Sequence, residues 1–368
     1  VSRDWSSDVC SSDLLNSFWF VIITVLWIGY FILEGFDFGV GILYKVVAKT
    51  QAERRAVLTT LGPVWDGNEV WLLVAGGATF AAFPNWYATL FSGFYLPLFL
   101  ILISLIVRGV SFEYRSKYGK EQWRNRWDNA IVVASFIPAL LWGVAFANIV
   151  KGVPIEKSSS GALEYTGGFF NLLNPYALLG GVVTLTVFLT HGAIFLSLKT
   201  AGEIRNRARK LAIRYGLIAA VAAVAFLLWT NLIASEKKFV VIVLSILVAL
   251  TWVIAQGFNL KGREGWAFVF SSGTILAFVA ALFTSLYPRV MPSSLGSQFD
   301  LTITNASSTD YTLKTMTIVA LIMTPLVLIY QGWTYWVFRK RVSADQINNP
   351  ERGDRKSTRL NSSHVKRS

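Results

Sequence analysis

Cysteine and histidine are almost absent from this chain. One Cys (Cys10) and two His (His191 and His364) occur in 368 residues. A lone cysteine rules out an internal disulfide framework, and so few soft ligands exclude a zinc site of the Cys/His kind. Charge is scarce as well, at 15% Asp, Glu, Lys and Arg against about 25% in soluble domains. No P-loop, no GxGxxG followed by an acidic residue and no nucleophile elbow is present, so nothing points to nucleotide hydrolysis or a soluble cofactor.

What fills the chain instead is apolar. Hydrophobic residues make up 54%, mean hydropathy is +0.51, and there are 26 Phe, 14 Trp and 13 Tyr. Such a chain cannot cover itself with polar surface, and several stretches of about 20 apolar residues are each long enough to cross a hydrocarbon core of about 30 Å. The expected class is an all-α integral membrane protein of about nine transmembrane helices, at 17–44, 57–81, 87–112, 127–150, 175–198, 209–233, 239–258, 265–287 and 315–338. The second carries Asp66, Asn68 and Glu69 and is open to being a partial or re-entrant span.

The ends differ from the rest. Residues 1–14 and the stretch from about 352 onward are rich in Ser, Arg and Asp and lack apolar periodicity. Neither resembles a signal peptide. We expect both to be foreign to a membrane domain over 15–342, with 343–368 forming a tail. The ends carry −2 and +5 of the formal +13 net charge, which leaves +10 on the rest.

Lys and Arg placement sets the expected topology. Loops 45–56, 113–126 and 199–210, and the segments after spans seven and nine, hold Arg54, Arg115, Arg205, Arg207, Lys261, Arg263 and Arg341 among others. All five fall on one side only if nine spans exist, with the N-terminus outside and the C-terminus in the cytoplasm. The positive charge sits where anionic lipid headgroups meet it and needs no nucleic-acid partner. Loops 151–174 and 288–314, rich in Gly, Ser, Thr and Asn, read as ordered caps on the opposite side.

Acidic side chains inside spans cost several kcal/mol, about 2.5–3.5 on insertion scales, so they are usually functional or paired. Span one ends LEGFDFGVG with Glu34 and Asp37, and span two begins LGPVWDGNEVW with Asp66 and Glu69. Each pair is spaced i,i+3, on one helix face. Asp37 and Asp66 are expected at a similar level, roughly 10–14 Å inside, with Trp65 and Asn68 flanking. Arg108, near the same surface, is placed to neutralise one carboxylate. The residues leave two readings open: a proton entry path through buried carboxylates, or a structural ion-pair cluster at the headgroup boundary, with Glu34 and Glu69 snorkelling out. The glycines at 35, 39 and 41 suit close helix contact. His191 is a weak candidate for a haem or metal ligand, a satisfied structural histidine being commoner, and Met291, Met316 and Met323 do not form an axial pair with it. A proton-coupled secondary transporter is the alternative from another class, although the broken helices and inverted repeat expected of one are not apparent.

The segments GFDFGVGIL, WDGNEVWLLVAGGATFAAFP, RGVSFEYRSK, WRNRWD, GVAFANIVKGVP and YPRVMPSS, in this order, resemble subunit II of the cytochrome bd quinol oxidases. The resemblance runs from about 17 to 342. It implies two helix bundles with a peripheral helix, and a bacterial inner-membrane complex that couples quinol oxidation to reduction of O2 to water. It implies subunit I as partner, carrying haem b and haem d, so that this chain holds neither and no metal or catalytic residue. It also allows a small single-helix accessory subunit. Asp37 and Asp66 take the family's proton-route positions, Glu34 stands where some relatives carry Asp, and Arg108 matches the family's arginine. Trp65 lies near where a structural quinone sits in some members. Relatives often carry an insertion between spans six and seven, where this chain has only about ASEKK.

Overall fold

The structure is a computed structural model that describes residues 5–159, 161–233 and 237–348. Residues 1–4 and most of the tail, with His364, lie outside them, as does the side chain of Cys10. Among the described residues, eight helices are long and apolar enough to cross a membrane. They comprise α1 (Trp5–Val47), α5 (Tyr95–Tyr114), α6 (Glu121–Lys151), α7 (Pro175–Lys199), α8 (Glu203–Ile233), α9 (Lys238–Leu260), α10 (Glu264–Leu286) and α11 (Asp310–Val337). Short helices α2 (Gln51–Leu61), α3 (Trp65–Ala82), α4 (Pro84–Gly93) and α12 (Ala344–Asn348) complete the set.

Two of the expected spans are broken. The stretch 57–81 is α2 followed by α3, because Pro63 has no N–H to continue the ladder and the chain turns through Gly62–Val64. A capping box begins α2: Thr50 Oγ1 accepts from the Glu53 amide at 3.2 Å and Glu53 Oε2 from the Thr50 amide at 3.2 Å. The stretch 87–112 is likewise divided at Phe94 into α4 and α5, with Pro97 in the first turn of α5, where proline is tolerated. At 18 residues α3 is about 27 Å long. It runs antiparallel to α1, from Asn68 beside Asp37 to Ala82, whose carbonyl accepts from the Ser308 amide at 2.8 Å. It is not among the eight helices long and apolar enough to cross a membrane.

One bundle is built from α1, α3, α5 and α6, and a second from α7 to α10. They meet where small residues let backbones approach. A Cβ on Gly39 of α1 would strike the Phe188 carbonyl of α7, and one on Gly192 would lie 2.6 Å from the Gly39 carbonyl carbon. Gly35 and Gly41 likewise meet Phe188 and Ser135, the role expected of that glycine series. Helix α11 lies outside both bundles with Leu313 its buried residue, a peripheral helix.

The basic loops converge at one end. Asp128 accepts from Arg54 (2.8 Å), Arg115 (2.5 Å) and Tyr44 (2.8 Å). Arg207 pairs with Glu53, and Glu264 takes Arg205 (2.7 Å) and Arg341 (3.3 Å). These bonds tie together all five segments that the charge pattern assigned to one side. At the other end the two cap loops interlock. Strands β1 (Ile155–Lys157) and β2 (Leu163–Tyr165) form one hairpin, and β3 (Arg289–Met291) pairs with β4 (Leu301–Thr302). Ser293 Oγ donates to the Ile155 carbonyl at 2.8 Å, and the Ser294 amide to the Val153 carbonyl at 2.9 Å.

Candidate functional site

Buried polar groups concentrate where α1, α3, α5 and α11 meet, toward the basic end. Helix α1 presents Glu34 and Asp37 one turn apart, both fully buried. From α5 comes Arg108, also fully buried, in an ion pair with Glu34 and within 3.4 Å of Glu69 Oε1. Its guanidinium lies 4.8 Å from the Phe38 ring centroid, an aromatic face that favours a cation. The charge therefore has two carboxyl partners rather than one. Glu34 does not reach the interface, contrary to the snorkelling reading, because Arg108 holds it inside; Glu69 keeps 23% of its side chain exposed.

Asp37 has a different partner. Asn68 of α3 donates from Nδ2 to Asp37 Oδ2 at 2.7 Å, and Asp37 Oδ1 is buried with no hydrogen-bond partner. Asn68 Oδ1 accepts from Tyr335 (2.8 Å) and Gln331 (3.3 Å), both on α11. Gln331 Oε1 accepts from the Trp71 indole at 2.8 Å. Neither Gln331 nor Tyr335 stood out in the sequence, since an uncharged polar residue near the end of a span carries little insertion penalty to mark it.

Asp66 is not in this cluster. The break before α3 makes it the second residue of that helix, not a residue nine positions into a span. The face of α3 turned to the bundle carries Asn68, Ala75, Thr79 and Ala82. Asp66 lies two residues, about 200°, off Asn68 on the helix, and is exposed. It lines a groove of about 1100 Å³ between α1, α3 and α11, together with Trp71, Gln331 and Tyr335. Trp65 faces the other way, its ring 5.2 Å from that of Phe112 and packed over Gly109 of α5. Asp37 lies ten residues before the end of α1, about 15 Å along the axis, deeper than expected because α1 continues to Val47.

His191 is fully engaged. Its Nδ1 is 2.8 Å from Ser271 Oγ and its Nε2 3.1 Å from the Ile32 carbonyl, and its ring stacks on Phe268. A carbonyl only accepts, so Nε2 carries the proton. Met291 is buried in the cap, while Met316 and Met323 lie on α11 along the groove. Among the described residues these donors do not assemble an axial pair for a haem iron.

Residues 15–338 match the family described as cytochrome bd terminal oxidase subunit II. The chain is similar to the cytochrome bd ubiquinol oxidase subunit 2 of Bacillus subtilis, at 41% identity over 89% of this chain and 97% of that one. It is also similar to the cytochrome bd-I ubiquinol oxidase subunit 2 of Escherichia coli, at 35% identity over 91% of this chain and 97% of the relative. A solved structure of bd oxidase from Geobacillus thermodenitrificans shares the fold, with a TM-score of 0.72 at 21% identity, covering 89% of this chain and 100% of that chain.

Proposed function

The chain belongs to the cytochrome bd terminal oxidase subunit II family, and from that premise we propose that it is the haem-free partner of a haem-bearing subunit I, giving it structural support and a proton route. The complex would oxidise quinol and reduce O2 to water, with haem b and haem d in subunit I. Water formation consumes protons at the oxygen site, and this chain would contribute by delivering them.

The observation that carries this reading is the charge count of the buried cluster. Three carboxyls, Glu34, Asp37 and Glu69, face one guanidinium, Arg108. Buried charge is tolerated when balanced, so this set has capacity to hold protons and pass them on. Asp66, on the open groove, is the acid best placed to receive a proton first. The neighbouring basic loops support a cytoplasmic mouth for the route, with the N-terminus outside and the C-terminus inside a bacterial cell membrane. The groove beside Asp66 also suits a long apolar ligand with a polar head, such as a structural quinone, although Trp65 faces away from it.

The family reading speaks against a secondary transporter, and purification from native membranes separates the two. The oxidase subunit should co-purify with a haem-bearing chain and support quinol-driven O2 uptake. A chain that carries a solute alone in liposomes, with no haem partner, would overturn the proposal.

A further inference from the structure

Among the described residues, the hydrogen bonds of the peripheral helix to the carboxylate cluster run through the amide of Asn68. On one side of that amide stand two acceptors: Asp37 Oδ2 at 2.7 Å and, more weakly, the Leu33 carbonyl at 3.5 Å. On the other side stand two donors from α11, Tyr335 Oη–H at 2.8 Å and Gln331 Nε2 at 3.3 Å. The Gln331 amide is itself fixed, because its Oε1 takes the Trp71 indole N–H, a group that donates and never accepts. The direction of every bond from Trp71 to Asp37 follows. Turning the Asn68 amide over would set its NH2 against the Gln331 NH2 and its oxygen against the Asp37 carboxyl.

We propose that Gln331 and Tyr335 are positioning residues for Asp37: they lock the Asn68 amide with its N–H toward Oδ2, so that Asp37 takes and releases its proton at Oδ1. The proposal rests on the reading of Asp37 as a member of the proton route. Oδ1 is the buried oxygen of Asp37 with no partner in the chain, while Oδ2 is occupied by the amide. Peripheral helix α11, which buries little of its surface in this chain, thereby sets the hydrogen bonding of a fully buried acid of the cluster. The other ionisable groups around Asp37 are Glu34 on α1, Glu69 on α3, Arg108 on α5 and Tyr335 on α11. From α7, His191 is directed at Ile32 and Ser271 instead.

The test uses the assembled oxidase carrying Gln331→Met with Tyr335→Phe, and Trp333→Phe as a control on an exposed face of α11. Two readouts are followed: the infrared carboxyl band of Asp37, assigned by its loss in Asp37→Asn, and the pH profile of O2 consumption. We expect the double variant to assemble, its Asp37 band to shift, and its pH profile to move by about one unit toward alkaline pH, a tenfold change, as when a carboxylate loses a donor. Trp333→Phe should move neither. An assembled double variant with band and profile unmoved would overturn the proposal. If the double variant fails to assemble, Tyr335→Phe alone carries the test, with a smaller shift expected in both readouts and no shift overturning it. If Asp37→Asn keeps full turnover, the proton-route reading fails, while the infrared band still decides whether α11 orients the amide.

Discussion

The guanidinium of Arg108 meets the carboxylate of Glu34 with neither side chain exposed to solvent. Each neutralises a charge that would otherwise stand alone between helices, and Glu69 adds a second, weaker contact at 3.4 Å. Removing one partner of a buried pair costs about 3–5 kcal/mol, because the other charge is stranded. Arg108→Met should therefore sharply reduce assembled complex, whereas Arg108→Met combined with Glu34→Gln should recover part of it. The yield of haem-containing complex checks this, and equal yields for single and double variants would refute the pairing.

The seam between the bundles depends on glycine at 39. A Cβ there meets the Phe188 backbone carbonyl, which cannot swing away as a side chain can. Gly39→Ala should destabilise the complex by about 1–3 kcal/mol, the usual cost of overpacking. Gly257→Ala, whose Cβ would have no neighbour within 4 Å, should be neutral. Thermal unfolding of the two purified variants distinguishes them, and equal transition temperatures would refute the close approach.

Glu53 gives stability a pH dependence at the basic end. Burial raises the affinity of its carboxyl for a proton, but the Lys49 amide, the Arg207 pair and the Thr50 amide together hold it below the usual carboxylate range. A group bound more tightly as the anion stabilises the fold fully above its unfolded value of about 4.3. That contribution fades as pH falls through the lower folded value. The stability lead of the natural protein over Glu53→Gln should be constant near neutrality and shrink below about pH 4. Melting temperatures measured across that range test it, and a lead that stays constant into acid would contradict it.

Much of this architecture was legible in the residues. Apolar runs gave the long helices, and Arg54, Arg115, Arg207 and Arg341 marked the end where the loops gather, because cations at span ends are unevenly distributed. Glu34, Asp37 and Arg108 stood out by the cost of burying charge. The polar residues Asp66, Asn68 and Glu69 marked the second span as irregular without placing its break at Gly62–Pro63, and the break at Phe94 was hidden inside a run whose hydropathy suggests one continuous helix. The depth assigned to Asp66 failed with the first break. Gln331 and Tyr335 lie more than 260 positions from Asn68, and the pairing of uncharged polar groups across that separation leaves no local pattern.

Asp37→Asn tests the central claim most directly. Asparagine keeps the shape and can still accept from Asn68, so assembly and haem spectra should be preserved while proton binding at this position is lost. In proteoliposomes, quinol-driven O2 consumption and proton uptake from the cytoplasmic face should fall together by at least about tenfold, equivalent to about 1.4 kcal/mol in the barrier. An assembled Asp37→Asn complex with the natural rates of both would show that the buried carboxylates are structural and that protons reach oxygen by another way.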